Sequence, residues 1–274
     1  MFELIRVAIA LLGTGIAGKQ DLETSDISDI LVFSMIGLGL AIHGIDSLLA
    51  GSIDPFVSSL STTIIFGVFA YFMYYIGAWG GGDGALLVAI GALLPTAPFS
   101  SAITIIPFPA IYFVNVFLIG FFYSLAYLVL TIFRDEKARN SYIRSLTKNK
   151  NMIYIFTGFA AVALAVDRSI LGAILSVLLL TIPFIYQLTT ISEKIFLKKI
   201  SVRKLKVGDM VGEDIPRLGL YKRKIRGLTI EEVRALRRYK KFVLVRDGVR
   251  YGPVFFLALF PALYSKVILL ALLG

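Results

Sequence analysis

Cysteine is absent from the 274 residues, and histidine occurs once, as His43. Without cysteine there is no disulfide, no cysteine-ligated zinc or iron–sulfur site and no cysteine nucleophile. A single histidine excludes a multi-histidine metal site and a relay of two imidazoles. A Ser-His-Asp triad would have to use His43, which lies in an apolar run where no motif brings a serine or carboxylate beside it. His43 is therefore read as a polar side chain satisfied inside a helix bundle. Charge is also scarce: 17% of residues are charged and 57% are hydrophobic, where soluble domains are about 45–50% apolar. The apolar excess is gathered into long runs, as in a polytopic membrane protein. The first run has neither a basic leading region nor a clear small-x-small cleavage site, so it is expected to stay as a helix.

Eight stretches are candidates to cross a bilayer: residues 2–18, 30–49, 56–79, 84–96, 103–133, 152–166, 169–188 and 251–273. A crossing helix needs about 17–25 apolar residues, so 84–96 and 152–166 are short. The sixth and seventh stretches are separated only by Asp167-Arg168, expected to pair with each other at a tight turn. Asp46 and Asp54 fall at the turn between the second and third stretches and are expected to be solvated.

The basic residues test the topology. Segments 19–29, 80–83, 134–151 and 189–250 alternate to one side and hold 25 of the 28 lysines and arginines. The positive-inside rule puts these segments in the cytoplasm. The short 134–151 loop carries six basic residues against Asp135 and Glu136 and gives the same orientation alone. The net charge of +10 is then a property of the cytoplasmic face and suits anionic lipid headgroups. No nucleic-acid partner is expected.

Residues 193–250 form the only sizeable polar segment. Alternating basic and apolar residues over 200–207 read as a half-exposed strand, and Gly208-Asp209 as a turn. Thr229-Ile230-Glu231-Glu232 fits a helix start, with Thr229 as the cap and Glu232 reaching back, and the helix is expected to run to about Tyr239. Phe242 to Val245 reads as a strand and Asp247-Gly248 as a turn.

The run Trp79-Gly80-Gly81-Gly82-Asp83-Gly84 opens the fourth apolar stretch. Three successive glycines cost conformational entropy but let another backbone approach. Asp83 stands where a helix N-terminus favours a carboxylate, so the pattern also suits a glycine turn followed by a capping aspartate. Catalysis by acids alone needs a second carboxylate nearby. Two such groups resist double ionisation and share a proton. The ionised one takes a proton from water and the neutral one donates to the scissile carbonyl oxygen, without metal or cofactor. The first cytoplasmic loop offers Asp21, Glu23, Asp26 and Asp29, with Asp29 expected as the N-cap of the second helix. Spacing does not choose among them.

Gly80-Gly81-Gly82-Asp83 matches the G-x-G-D motif of polytopic aspartic proteases. Its place, early in the chain and after an aspartate-bearing first loop, resembles the type IV prepilin peptidase group, and in particular archaeal preflagellin (prearchaellin) and prepilin peptidases. Those carry a pattern like D-L-K-x-R-x-I-P-[DN] after the first helix. Here Asp21-Leu22-Glu23-Thr24-Ser25-Asp26-Ile27-Ser28-Asp29 stands in that place. The resemblance implies Asp21 and Asp83 as the catalytic pair. It is best over residues 15–100 and looser near the C-terminus, where Lys206-Val207-Gly208-Asp209 and Arg250-Tyr251-Gly252-Pro253 look similar to archaeal members. Presenilin-type proteases place their G-x-G-D late in the chain and fit less well. Glu23 and Ser28 depart from the family's basic residue and proline. They leave a loop of four acids against Lys19.

The fold expected is an all-α membrane bundle of about 6–8 transmembrane helices, with a small α+β cytoplasmic domain near the C-terminus. Residues 1–190 are the membrane catalytic part, 191–250 the basic domain and 251–274 the final helix. The resemblance implies removal of a short basic leader from membrane-inserted archaellin or pilin-like precursors. Gly80, Gly81 and Gly82 would admit the substrate backbone, while Glu23 and Asp26 would attract the leader. An ion- or proton-coupled transporter using Asp21, Asp83 and Asp167 is the competing reading, but it calls for an inverted repeat, and none is visible. A non-catalytic membrane anchor is a third.

Overall fold

The computed structural model describes residues 2–98, 107–221, 227–246 and 248–264. It divides into two compact units: residues 1–124 with 249–274, and residues 125–248.

The first unit holds α1 (Glu3–Thr24), α2 (Asp29–Ala50), α3 (Asp54–Tyr75), α4 (Gly81–Leu93), the start of α5 (Phe108–Arg134) and α10 (Gly252–Leu263). The helix α1 continues past the expected end of its apolar run, so Asp21 lies in its last turn rather than in a loop. Ser25 ends it in the left-handed region at φ 55° and returns its N–H to the Asp21 carbonyl. Asp29 is not the cap of α2. Ser28 holds the extended cap position and Asp29 begins the first turn, where its charge still favours the helix N-terminus. Gly51 closes α2 at φ 62°, donating to the Ser47 carbonyl, and Pro55 sits in the first turn of α3, where its missing N–H costs nothing.

The short helix α4 is the most enclosed element. Leu86, Leu87, Ala89, Ile90, Ala92 and Leu93 are buried, in one core with residues of α1, α2, α3, α5 and α10. Small residues allow this. A Cβ at Gly39 of α2 would stand 2.7 Å from the Ala92 backbone carbon, and one at Gly84 of α4 would stand 3.0 Å from the Ala70 Cβ of α3. Membrane helices without a hydrophobic drive to associate gain from this close backbone approach. Ser59 of α3 donates to the Ala92 carbonyl at 2.6 Å, and Tyr112 of α5 donates to the Phe255 carbonyl at 3.1 Å.

His43 is 2% exposed, as expected of a satisfied bundle histidine. Its Nε2 reaches the Leu93 carbonyl at 3.3 Å, leaving Nδ1 to accept from Arg6 at 2.9 Å. Asp46 is not simply solvated: it pairs with Arg6 at 3.4 Å. Asp54 accepts from the Ser52 hydroxyl at an exposed site.

The second unit holds the end of α5, α6 (Glu136–Lys148), α7 (Lys150–Val166), α8 (Ile170–Ile195), β1 (Leu197–Ser201), β2 (Met210–Val211), α9 (Ile230–Tyr239) and β3 (Phe242–Arg246). The basic segment expected as a loop is largely helical, because Asp135 caps α6 by accepting from the Lys137 and Ala138 amides. Asp167 accepts from the Ser169 N–H at 2.9 Å. The strands form a three-stranded sheet in the order β1-β3-β2, with both pairings antiparallel. The strand expected over 200–207 ends earlier, at Ser201, and gives way to a 3₁₀ turn over Val202–Lys204. Arg237 of α9 donates to the Val202 and Leu205 carbonyls, which are turned out of the sheet there. Thr229 and Glu232 form the expected reciprocal cap of α9. The turn at Gly208 is present, at φ 95°. Of the Asp247-Gly248 turn, Asp247 lies outside the described residues.

Among the described residues, four helical segments are long and apolar enough to cross a membrane: α2, α3, α5 and the Leu175–Ser192 part of α8. A fifth is added if α6 and α7, bent by 66° from each other, count as one. Large apolar side chains on these helices are exposed, among them Phe33, Leu48, Ile65, Val68 and Phe122, as suits a multi-pass protein whose solvent is lipid. As described, α4 and α10 have 13 and 12 residues.

Replacing Gly39 by valine should push α4 from α2. The cost is on the order of 1–3 kcal/mol, read as a lower midpoint of thermal unfolding in detergent. An unchanged midpoint would contradict the close approach.

Candidate active site

Asp83 belongs to the first turn of α4, ahead of the apolar stretch that begins at Gly84 and outside the helices long enough to cross. Gly80 occupies the extended cap position before it. The Gly80 N–H donates to Asp83 Oδ2 at 3.2 Å. The aspartate is thus not the N-cap that the simpler reading of the motif expected: it is the third residue of the helix and reaches back to the cap residue, Gly80. The same carboxyl has a further property. Burial, and then the charge of Asp21, push it up to about 7. The two acids that the family resemblance paired, far apart in sequence, therefore lie within electrostatic reach of each other.

Asp21 is 8% exposed. Its Oδ2 accepts from the Gly252 N–H at 2.7 Å. The guanidinium of Arg250 donates to the carbonyl of the neighbouring Leu22. Sequence reasoning noted Arg250-Tyr251-Gly252-Pro253 as similar to archaeal proteins but assigned it no place in the site. Nothing in its spacing says that it meets Asp21, 231 positions away.

The glycine run is held from one side and open on the other. A Cβ at Gly82 would come within 3.0 Å of Ile27 Cβ, on the buried part of the loop after α1. A Cβ at Gly81 would meet nothing within 4 Å, and one at Gly80 only Asp83 Oδ2. Beside them a cavity of about 210 Å³ is lined by Gly80, Gly81, Gly84, Ala85 and Val88 with Ala70, Tyr71 and Tyr74 of α3. Trp79 anchors the run, also unforeseen. It is 7% exposed, stacks on Phe117 at 5.6 Å, and meets Phe69 and Phe255 edge-on at 5.8 and 5.6 Å. Tyr251 lies 6.0 Å from it and donates its hydroxyl to the Val116 carbonyl at 3.1 Å. The one tryptophan of the chain, immediately before three glycines, was the available signal. A large buried ring fixes a backbone that glycine alone would leave loose.

Glu23 and Asp26 are exposed, unlike Asp21. Glu23 lies 3.9 Å from Lys19, one turn back on α1. Asp29 is likewise exposed. The first-loop acids therefore separate: Asp21 turns inward to the C-terminal segment and Asp83, while the others face outward.

Residues 8–132 match the type IV leader peptidase family. This segment contains Asp21, the glycine run and Asp83. Among curated proteins, the chain is 36% identical over 96 residues to the preflagellin peptidase of Methanococcus voltae, covering 35% of this chain and 41% of that protein. It is 36% identical over 100 residues to prepilin peptidase EppA of Methanothermobacter thermautotrophicus, covering 36% and 26%. It is 32% identical over 92 residues to the preflagellin peptidase of Methanocaldococcus jannaschii, covering 34% and 39%. The chain thus spans about two-fifths of the length of the two preflagellin peptidases and about a quarter of EppA. Over residues 8–132, the stretch that holds Asp21 and Asp83, the chain is similar to the type IV leader peptidase family, and over about a third of its length it is similar to archaeal preflagellin and prepilin peptidases.

Proposed function

We propose that the protein is an intramembrane aspartic endopeptidase that removes a short basic leader from membrane-inserted archaellin or type IV pilin-like precursors. The observation that carries this reading is the Asp83 carboxyl, raised to about 7 by burial and by Asp21, in a turn whose Gly80 and Gly81 line a cavity. An ionised Asp21 takes a proton from water, which attacks the scissile carbonyl. A protonated Asp83 gives its proton to the carbonyl oxygen. The tetrahedral intermediate then collapses, with the amine leaving protonated. A helical substrate hides its own peptide groups, so it must unwind before the cut. Gly80 and Gly81 leave room for that extended backbone, while Gly82 packs against Ile27. The names of the relatives, preflagellin and prepilin peptidases, support the substrate class.

In this reading residues 1–190 are the membrane catalytic part with the last segment, 251–274, returning to it, for 6–8 crossings in all. The basic residues 191–250 lie on the cytoplasmic side against anionic lipid, and the site opens on that same face. The orientation rests on the distribution of lysine and arginine. The exposed Glu23 and Asp26 would meet the basic leader there. Their opposite charge steers it toward the two acids.

Three outcomes test the proposal in proteoliposomes with a peptide that carries a basic leader ahead of an apolar helix. Asp21→Asn and Asp83→Asn should each lower cleavage by at least about a thousandfold, by analogy with loss of a residue from a catalytic unit. Survival of cleavage in either would remove that residue from the pair.

The second outcome concerns pH. Folding raises the Asp83 pKa, so the proton is held below about 7 and lost above it. The rate should therefore fall as pH rises through about 7. A rate constant up to pH 9 would exclude Asp83 as the donor.

Third, Glu23→Lys with Asp26→Lys should raise KM severalfold at low salt and leave kcat alone, with the difference shrinking as salt screens the charges. An unchanged KM would show that these acids do not meet the leader.

A further inference from the structure

The two acids are held asymmetrically. Asp83 takes its N–H from within its own turn, at 3.2 Å from Gly80. Asp21 takes one from a distant helix start, at 2.7 Å from Gly252. We propose that Gly252 is the positioning residue of the dyad: its N–H holds the Asp21 carboxylate ionised and aimed, and its lack of a side chain leaves that carboxylate room.

The geometry around Gly252 leaves little alternative for the side chain. A Cβ there would stand 2.9 Å from Asp21 Cβ and 3.1 Å from Oδ2. One turn earlier on α1, a Cβ at Gly18 would stand 3.1 Å from Pro253 Cα. Helices α1 and α10 therefore meet backbone to backbone at the level of the acid. Farther along the same interface the contact relaxes. A Cβ at Gly15 would be 3.6 Å from the Phe256 ring, an ordinary contact. The segment just before Gly252 is tied down twice. Arg250 donates to the Leu22 carbonyl, a cation at the C-terminal end of α1 where the helix dipole favours one. Tyr251 donates to the Val116 carbonyl. An N–H bonded to a carboxylate favours its charged form, and the bond to Asp21, at 2.7 Å, is the shorter of the two. This supplies what the mechanism needs and the two acids alone do not: a fixed choice of which is base and which is donor.

This inference rests on the aspartic peptidase reading, and the test keeps the two apart. Purified full-length protein in proteoliposomes is assayed on the same basic-leader peptide, with kcat, KM and the acid limb of the rate profile measured for Gly252→Ala, Arg250→Met and Gly15→Ala. The charged and titratable groups around Asp21 that also bear on that limb are Asp83, Tyr251 and Arg250, Lys19 and Glu23 on α1, and Asp26 and Asp29 after it. Gly252→Ala should lower kcat by about a hundredfold, the scale of an ångström-sized misplacement, with KM within about twofold. Its acid limb should move to higher pH. Arg250→Met adds no bulk at Asp21 and should shift the limb the same way with a smaller loss. Gly15→Ala should match wild type in all three. A kcat loss in Gly252→Ala with an unmoved limb would reduce the glycine to a packing residue and overturn the proposal. So would a wild-type profile in Arg250→Met should Gly252→Ala fail to fold. If Asp21→Asn or Asp83→Asn still cleaves, the peptidase reading itself falls. If both are dead while Gly252→Ala behaves as wild type, only this inference does.

Discussion

A carboxyl group removed from water at a helix end constrains everything around it. Burying it costs several kcal/mol unless hydrogen bonds or a proton compensate. In the first unit Asp21 is such a group and Asp83, within its electrostatic reach, is partly withdrawn from solvent, and each meets the requirement differently. Asp21 receives the Gly252 N–H. Asp83 receives the longer Gly80 bond, and burial raises its proton affinity toward neutrality. The arrangement needs α10 at the foot of α1, and it needs α4 short and firmly seated. Both requirements are met by small residues at the crossings: Gly18 and Gly252 on one side, Gly39 and Gly84 on the other.

The rest of the first unit serves that placement. Trp79 fixes the entry to α4 by packing among Phe69, Phe117 and Phe255, so the three glycines are anchored at one end by an aromatic cluster and at the other by the helix itself. Gly82 is pressed against Ile27 while Gly81 faces open space. A run that looks uniform in sequence is thus divided in its surroundings, one residue packed and another open. In the polar cluster of Arg6, His43 and Asp46, His43 bonds Arg6 and the Leu93 carbonyl and Asp46 pairs with Arg6. This accounts for the lone histidine without assigning it chemistry.

Much was legible before the fold. Long apolar runs announced membrane helices, because nothing else tolerates that composition. The cap Thr229–Glu232 and the strand beginning at Phe242 follow from local rules and stand where those rules put them. Other local readings missed. Asp29 yielded the cap to Ser28, and α6 formed from a segment that looked like a basic loop. The strand placed over 200–207 ended at Ser201, where Arg237 takes up the Val202 and Leu205 carbonyls. That decision is tertiary, since it depends on a residue more than thirty positions away.

By itself the sequence determined that this is a multi-pass membrane protein, that its chemistry has no cysteine and no histidine cluster to draw on, and that an aspartate follows three glycines. Those are properties of composition and of adjacent residues, carried by hydrophobicity and backbone freedom. Which first-loop acid turns toward Asp83, and what holds it there, only the tertiary structure decided. Asp21, Glu23, Asp26 and Asp29 are alike in sequence, but of the four only Asp21 is buried, on α1 where it meets the start of α10. The N–H that separates Asp21 from the rest belongs to Gly252, at the far end of the chain.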